Sequence, residues 1–80
     1  MSSKRVVLFT APNCHWCTKA KAFFKKYEIK YRTIDISKDE RARKDCERNG
    51  CKGVPVVMIG GRYICGFDEA KIRQTMGIKG

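Results

Sequence analysis

Residues 5–17 read Arg5-Val6-Val7-Leu8-Phe9-Thr10-Ala11-Pro12-Asn13-Cys14-His15-Trp16-Cys17, and the order of signals in this stretch decides the fold. Val6 to Phe9 is an unbroken apolar run, short and partly β-branched, which predicts a strand buried on both faces. Thr10 to Asn13 carries turn residues and ends it. A helix is then expected from about Cys14 to Tyr27. Trp16, Ala20, Phe23 and Tyr27 recur there at steps of three and four, with Cys17 and Phe24 on or beside the stripe. Lys19, Lys21, Lys25 and Lys26 take the other faces, and lysines near the C-terminal end suit the helix dipole.

Downstream, Tyr31 to Ile36 alternates well enough for a half-buried strand, with Ile34 and Ile36 on one face. Ser37-Lys38-Asp39-Glu40 reads as a capping box, so a charged helix is expected from there to about Asn49, stopped by Gly50. Val54 to Ile59 predicts a third strand. Gly60-Gly61 supplies the positive φ angles of a two-residue hairpin, and Arg62 to Cys65 returns as a fourth strand. Asp68 can cap a last helix to about Met76, closed by Gly77. The expected order is β-α-β-α-β-β-α. The opening strand, helix and strand imply a right-handed parallel crossover, and the late hairpin adds an antiparallel edge. A four-stranded mixed sheet flanked by three helices, one domain over residues 1–80, buries these faces economically.

With 42% hydrophobic residues and only two prolines, the composition is that of a folded chain, not of a disordered one. Eighty residues bury only about 60–65% of their unfolded surface, so the core must be thin. The run at Val6–Phe9 is too short for the core of a signal peptide, and nothing approaches the roughly 18 apolar residues of a membrane span. A cytoplasmic protein with no membrane association is expected. Five cysteines form an odd set, which argues against a fully paired secreted scaffold. In a reducing cytosol, closely spaced cysteines serve catalysis or metal binding more often than structure. The formal net charge of +10 favours anionic partners such as acidic proteins, glutathione or nucleic acid. The basic residues are spread over several elements without interleaved exposed aromatics, so no specific nucleic-acid binding is expected.

The chemistry is concentrated in Cys14-His15-Trp16-Cys17. The first turn of a helix offers unpaired N–H groups and the positive end of the dipole, and both favour thiolate over thiol. A cysteine thiol normally titrates at roughly 8.5, and C-x-x-C sites at helix starts reach about 3.5–7. Cys14, at the very start, is expected to be the attacking thiolate. Cys17, one turn in on the apolar side, is expected to resolve the mixed disulfide. The same cysteines could instead be half of a zinc site, with Cys46 and Cys51 supplying the other half across a helix end. His15, when charged, would stabilise the Cys14 thiolate. A solvated residue without that role is the plainer reading.

The strand–CxxC–helix opening, the Gly53-Val54-Pro55-Val56 entry to the third strand and the Cys65-Gly66-Phe67-Asp68 turn together resemble the glutaredoxin-like redoxins of the thioredoxin fold. The resemblance spans nearly the whole chain. It implies a cis Val54-Pro55 bond facing Cys14, with the Val54 backbone pairing with substrate as a short added strand. It implies further that Gly66, Phe67 and Asp68 form a turn holding glutathione, whose carboxylate meets the amides of the last helix. From the residues alone, Asp68 is a cap and Phe67 fills core. The implied activity is thiol–disulfide oxidoreduction of protein or glutathione mixed disulfides, by a monomer with no bound cofactor. Its implied potential is roughly −200 to −270 mV. An iron–sulfur or metal carrier built on the same cysteines is the alternative.

Several positions depart from the family pattern. His-Trp replaces the usual Pro-Tyr between the cysteines, although Trp16 keeps an aromatic surface there. Ala11 stands where many glutaredoxins carry a lysine for glutathione. Pro55-Val56-Val57 followed by Gly66-Phe67 also looks like the small redoxins that draw electrons from thioredoxin reductase, a flavin enzyme, and serve ribonucleotide reductase. Either glutathione or such a reductase is therefore implied as electron donor. Thioredoxin itself fits less well. The strand Val6–Phe9 lacks its buried acid, and Asn13 stands in place of its tryptophan. Asp35, at a strand end, reads as solvated. Cys46, Cys51 and Cys65 are expected as small buried hydrophobes. Cys65, nearest the active-site turn, is the one open to glutathionylation or a side disulfide, and Cys46 with Cys51 could pair across the helix end.

Overall fold

The computed structural model describes residues 5–77, so the expected domain span of 1–80 extends beyond the described residues at both ends. The elements are β1 (Val6–Thr10), α1 (His15–Lys26), β2 (Arg32–Asp35), α2 (Glu40–Arg48), β3 (Val56–Ile59), β4 (Arg62–Cys65) and α3 (Glu69–Met76). They follow the order read from the sequence. The sheet order is β2-β1-β3-β4. β1 runs parallel to β2, with Phe9 opposite Ile34, and antiparallel to β3, with Phe9 opposite Val56. β3 and β4 form the expected hairpin, with Val56 opposite Cys65.

Because side chains alternate across a strand, the apolar run of β1 feeds two cores. Val6 and Leu8 join Phe23 and Phe24 of α1, Val57 and Ile59 of β3, Ile64 of β4 and Ile72 of α3. Val7 and Phe9 turn to the opposite face, where they meet Ala42 and Cys46 of α2 together with Cys51 and Val56. Helices α1 and α3 thus cover one face and α2 the other. This explains why β1 carries no polar alternation: both of its faces are covered.

Several boundaries move from their expected places, and the second strand is the shorter Arg32–Asp35, not Tyr31–Ile36. The first helix starts at His15, with Cys14 as its N-cap, one residue later than read. The capping box does not form on Ser37. Asp39 caps α2 instead, its carboxylate accepting from the Ala42 amide at 3.0 Å. Ser37 donates its backbone N–H and its hydroxyl to the Asp35 carboxylate, at 2.9 and 2.6 Å. Asp35 thereby closes its own turn, and these two hydrogen bonds hold its pKa below the ordinary value. The third strand begins at Val56, not Val54, because the Val54-Pro55 bond is cis and Pro55 has no N–H to give to a ladder. The fourth strand and the last helix, capped by Asp68 and ended by left-handed Gly77, lie where read.

Candidate active site

The turn between β1 and α1 is built to expose one sulfur. Asn13 has φ of 61°, a left-handed conformation that asparagine tolerates better than most side chains. It swings the chain from the end of β1 into the helix, so that Cys14 takes the N-cap with extended backbone. The Cys14 sulfur there accepts the Cys17 amide at 3.2 Å, satisfying one of the unpaired donors of the first turn. Cys17 faces inward and is 2% exposed. The two Cα atoms are 5.2 Å apart and the sulfurs lie at disulfide distance. One half-exposed sulfur and one buried sulfur, joined at a helix start, can exchange a disulfide with an outside partner at a single point of entry.

Trp16 does not belong to the core stripe. The buried residues of α1 are Cys17, Ala20, Phe23 and Phe24, while Trp16 is 52% exposed. The buried face of the first turn is taken by Cys17, which leaves Trp16, one residue earlier, turned toward solvent. Trp16 lies instead beside Phe67, with ring centroids 6.4 Å apart, and under the Lys19 ammonium at 4.7 Å. His15 is exposed and stands edge-on to Trp16.

The other two motifs arrive at the same end of the sheet. β1 and β3 are antiparallel, so the start of β3 borders the end of β1, and the cis Val54-Pro55 segment flanks the turn that carries Cys14. Pro55 is buried, and its carbonyl accepts the Gly66 amide at 2.8 Å. Gly66 has φ of 82°, which turns the chain from β4 toward α3 at no steric cost. Phe67 packs on Phe23 at 5.7 Å as well as on Trp16, and the Asp68 carboxylate accepts from Lys71 N–H at 3.1 Å as the cap of α3. Phe67 thus touches Trp16, and Val54-Pro55 lies at the same end of the sheet as the turn that carries Cys14, joined to Gly66 by the Pro55 carbonyl.

An open depression of about 450 Å³ lies beside the cysteine pair, with Ala11, Asn13, Cys14, His15 and Lys21 among its walls. Lys21 was missed by the reading of α1 as a stripe with a solvated lysine face. Its signal is the spacing Cys14, Cys17, Lys21, which runs down one side of a helix.

These features recur in known proteins. A sequence profile of the glutaredoxin family, described as glutaredoxin, matches residues 6–64. The chain belongs to the glutaredoxin family. Among its relatives, a glutaredoxin-like protein of the rubredoxin operon of Clostridium pasteurianum is 31% identical over 68 residues, covering 84% of this chain and 91% of the other. Among solved structures, the thioredoxin-like protein BC3987 superimposes with a TM-score of 0.80 at 29% identity, over 89% of this chain and 99% of the other. A buckwheat glutaredoxin–glutathione complex superimposes with a TM-score of 0.73 at 28% identity, over 95% of this chain and 73% of the other. The fold is thioredoxin-like, and family membership with the Cys14–Cys17 pair makes this glutaredoxin a thiol–disulfide redox protein.

Among the remaining cysteines, Cys51 and Cys65 depart from the small buried hydrophobes expected, and Cys65 takes the side disulfide to which it was open. Cys51 and Cys65 are joined by a disulfide, with Cα atoms 5.1 Å apart, and Cys46 does not pair with Cys51. Alternation explains the pairing. Ile64 points to the α1 side of the sheet, so Tyr63 and Cys65 point to the α2 side, where the chain leaves α2 through Cys51. Cys46 alone keeps the expected role. It is buried as a free thiol, and burial together with Asp45 and Glu47 pushes its pKa up to about 11. Among the described residues no three His, Cys, Asp or Glu side chains come together as metal ligands, and no helix is long and apolar enough to cross a membrane.

Proposed function

We propose that this chain reduces protein and glutathione mixed disulfides by dithiol exchange in the cytoplasm. The observation that carries the proposal is the pairing of a half-exposed Cys14 sulfur, receiving the Cys17 amide at the start of α1, with a buried Cys17. Cys14 thiolate attacks one sulfur of the substrate disulfide, and the other sulfur leaves as a thiolate that takes up a proton. Cys17 then gives up its proton and attacks the Cys14 sulfur. The second half of the substrate departs as a thiol, and the Cys14–Cys17 disulfide remains. Two electrons have moved from the protein to the substrate, and two thiols of the donor return them.

Val54 and Pro55 align the substrate backbone beside Cys14, and the Gly66–Asp68 turn receives glutathione. The Asp68 carboxylate already caps α3, so it is the amides of that turn and of the first turn of α3 that meet a glutathione carboxylate. Lys21 offers a cation on the wall of the depression, on a chain whose family resemblance would have put one at Ala11. The net charge of +10 draws anionic glutathione toward the site.

Two measurements test this. Turnover of a small glutathione mixed disulfide is followed with glutathione and its reductase, and separately with thioredoxin reductase. Glutathione-driven turnover is the expected result. Turnover with thioredoxin reductase alone would leave the dithiol chemistry and remove glutathione as donor; no turnover with either would end the proposal. For His15, the Cys14 thiol pKa read by thiolate absorbance is expected to rise in His15→Ala, because a nearby imidazolium favours the thiolate. An unchanged value would make His15 a solvated residue without an electrostatic part.

A further inference from the structure

The Cys51–Cys65 bond ties together the two segments that frame the substrate groove. Cys51 is 2% exposed, and its amide donates to the Cys46 carbonyl at 2.9 Å, so it is anchored to the end of α2. Cys65 ends the edge strand β4 opposite Val56 and is exposed. Between Cys51 and the buried Pro55 the chain has only Lys52, Gly53 and Val54, all outside regular structure. Oxidised, the pair fixes this segment at its start through sulfur, while the Pro55 carbonyl fixes its end on Gly66 at 2.8 Å. Reduced, Cys51 keeps its buried place at the end of α2 and the Pro55 carbonyl keeps Gly66, but the covalent tie between the Cys51–Val54 segment and the end of β4 is gone.

We propose that Cys51 and Cys65 are a second redox centre, exchanging with glutathione-class thiols and disulfides, whose oxidation clamps Val54-Pro55 in the shape that receives substrate. The exchange has a defined point of entry because only Cys65 is exposed. In the oxidising direction its thiolate attacks glutathione disulfide and releases one glutathione. Cys51 thiolate then attacks the Cys65 sulfur of the mixed disulfide and releases the second. The pair loses two electrons and two protons, and one glutathione disulfide becomes two glutathione thiols. Reduction runs the same steps backwards. Cys46 does not compete for Cys51, since a thiol held at a pKa of about 11 stays protonated near neutrality. The clamp rests on the dithiol reading of Cys14 and Cys17, whereas the redox pair stands without it.

The test has two arms. In full-length Cys14→Ser/Cys17→Ser protein, buffers ranging from reduced glutathione to glutathione disulfide are followed by alkylation and mass measurement. With each sample acid-quenched and unfolded before alkylation, Cys51 and Cys65 are expected to pass from two alkyl groups to none in one step, without retained glutathione and with Cys46 labelled throughout. Alkylation of one without the other, glutathione retained on Cys65, or no change across the whole range overturns the second centre. In the second arm, Cys65→Ser on the otherwise native chain is expected to raise KM for a glutathione mixed disulfide about three- to tenfold with kcat unchanged, the signature of a lost ordering contribution. Thermal unfolding first checks that Cys65→Ser is folded at the assay temperature, since it loses the disulfide, and Cys51→Ala gives the same comparison from the other side. An unchanged KM removes the clamp. Absence of turnover in the native chain removes both the dithiol reading and the clamp, while the alkylation arm still decides the redox pair.

Discussion

Cys14→Ser is expected to lose about a thousandfold or more of the turnover of a glutathione mixed disulfide. The argument is chemical. Thiolate is the nucleophile of disulfide exchange, and a serine hydroxyl ionises far too weakly near neutrality to replace it. It is also structural, because the fold should survive the change. Cys14 is the N-cap of α1, and serine is among the best N-cap residues, so its hydroxyl can accept the Cys17 amide in place of sulfur. The variant therefore isolates chemistry from stability. Its Tm is expected within a few degrees of the native chain while its activity is lost. The partner change, Cys17→Ser, separates the two thiols. With a protein disulfide as substrate it should accumulate a covalent complex on Cys14, visible by mass, since no internal thiol remains to release the product. Full activity in Cys14→Ser, or a trapped complex on Cys17, would reverse the assigned roles.

Most of the architecture was legible because two periodicities are written plainly in the chain. The uninterrupted Val6–Phe9 run can only belong to a strand covered on both sides, and the structure divides Val6 and Leu8 from Val7 and Phe9 between two cores. Gly60-Gly61 and Asp68 marked β4 and α3 to the residue. Local competition explains the misses. Ser37 had a capping pattern, but Asp35 two residues earlier captured both of its donors, and Asp39 took the cap. Trp16 fits a helical stripe by spacing alone, yet the stripe that is buried runs through Cys17, Ala20, Phe23 and Phe24 instead. The Cys51–Cys65 bond is the most instructive case. Strand alternation, applied to β4, turns Cys65 away from Ile64 and toward the layer of α2, and the Gly50 stop makes Cys51 the residue that leaves α2. Those two signals went uncombined, and Cys46 with Cys51 stood as the pair that could form across the helix end. Within the candidate site, the convergence of Cys14, Pro55 and Gly66 at one sheet end was implied only by family resemblance, because the pairing of β1 with β3 brings together residues some forty positions apart.

Phe24→Ala is expected to cost about 3–5 kcal/mol. A domain of this size has roughly 4–12 kcal/mol in all, so the change removes at least about a quarter of its stability. Phe24 is fully buried in the face beneath α1, edge-on to Phe23 at 5.8 Å and tilted against Tyr31 at 4.9 Å. Its fully buried neighbours are poorly placed to refill the space. Leu8, Val57, Ile59 and Ile72 are rigid or branched side chains held by the sheet and α3. At about 4–8 °C per kcal/mol for a small domain, Tm should fall by about 12–40 °C, which thermal unfolding by circular dichroism reads directly. A shift of only a few degrees would mean that this face is not the stabilising core. Trp16→Ala supplies the contrast. Its ring is half-exposed on the first turn, so it should cost little stability while altering the surface beside Cys14. The two aromatics lie eight positions apart on one helix and divide its work. Phe24 and its neighbours fix α1 to the sheet, and that attachment is what holds the helix start, and with it the Cys14 sulfur, beside Val54-Pro55.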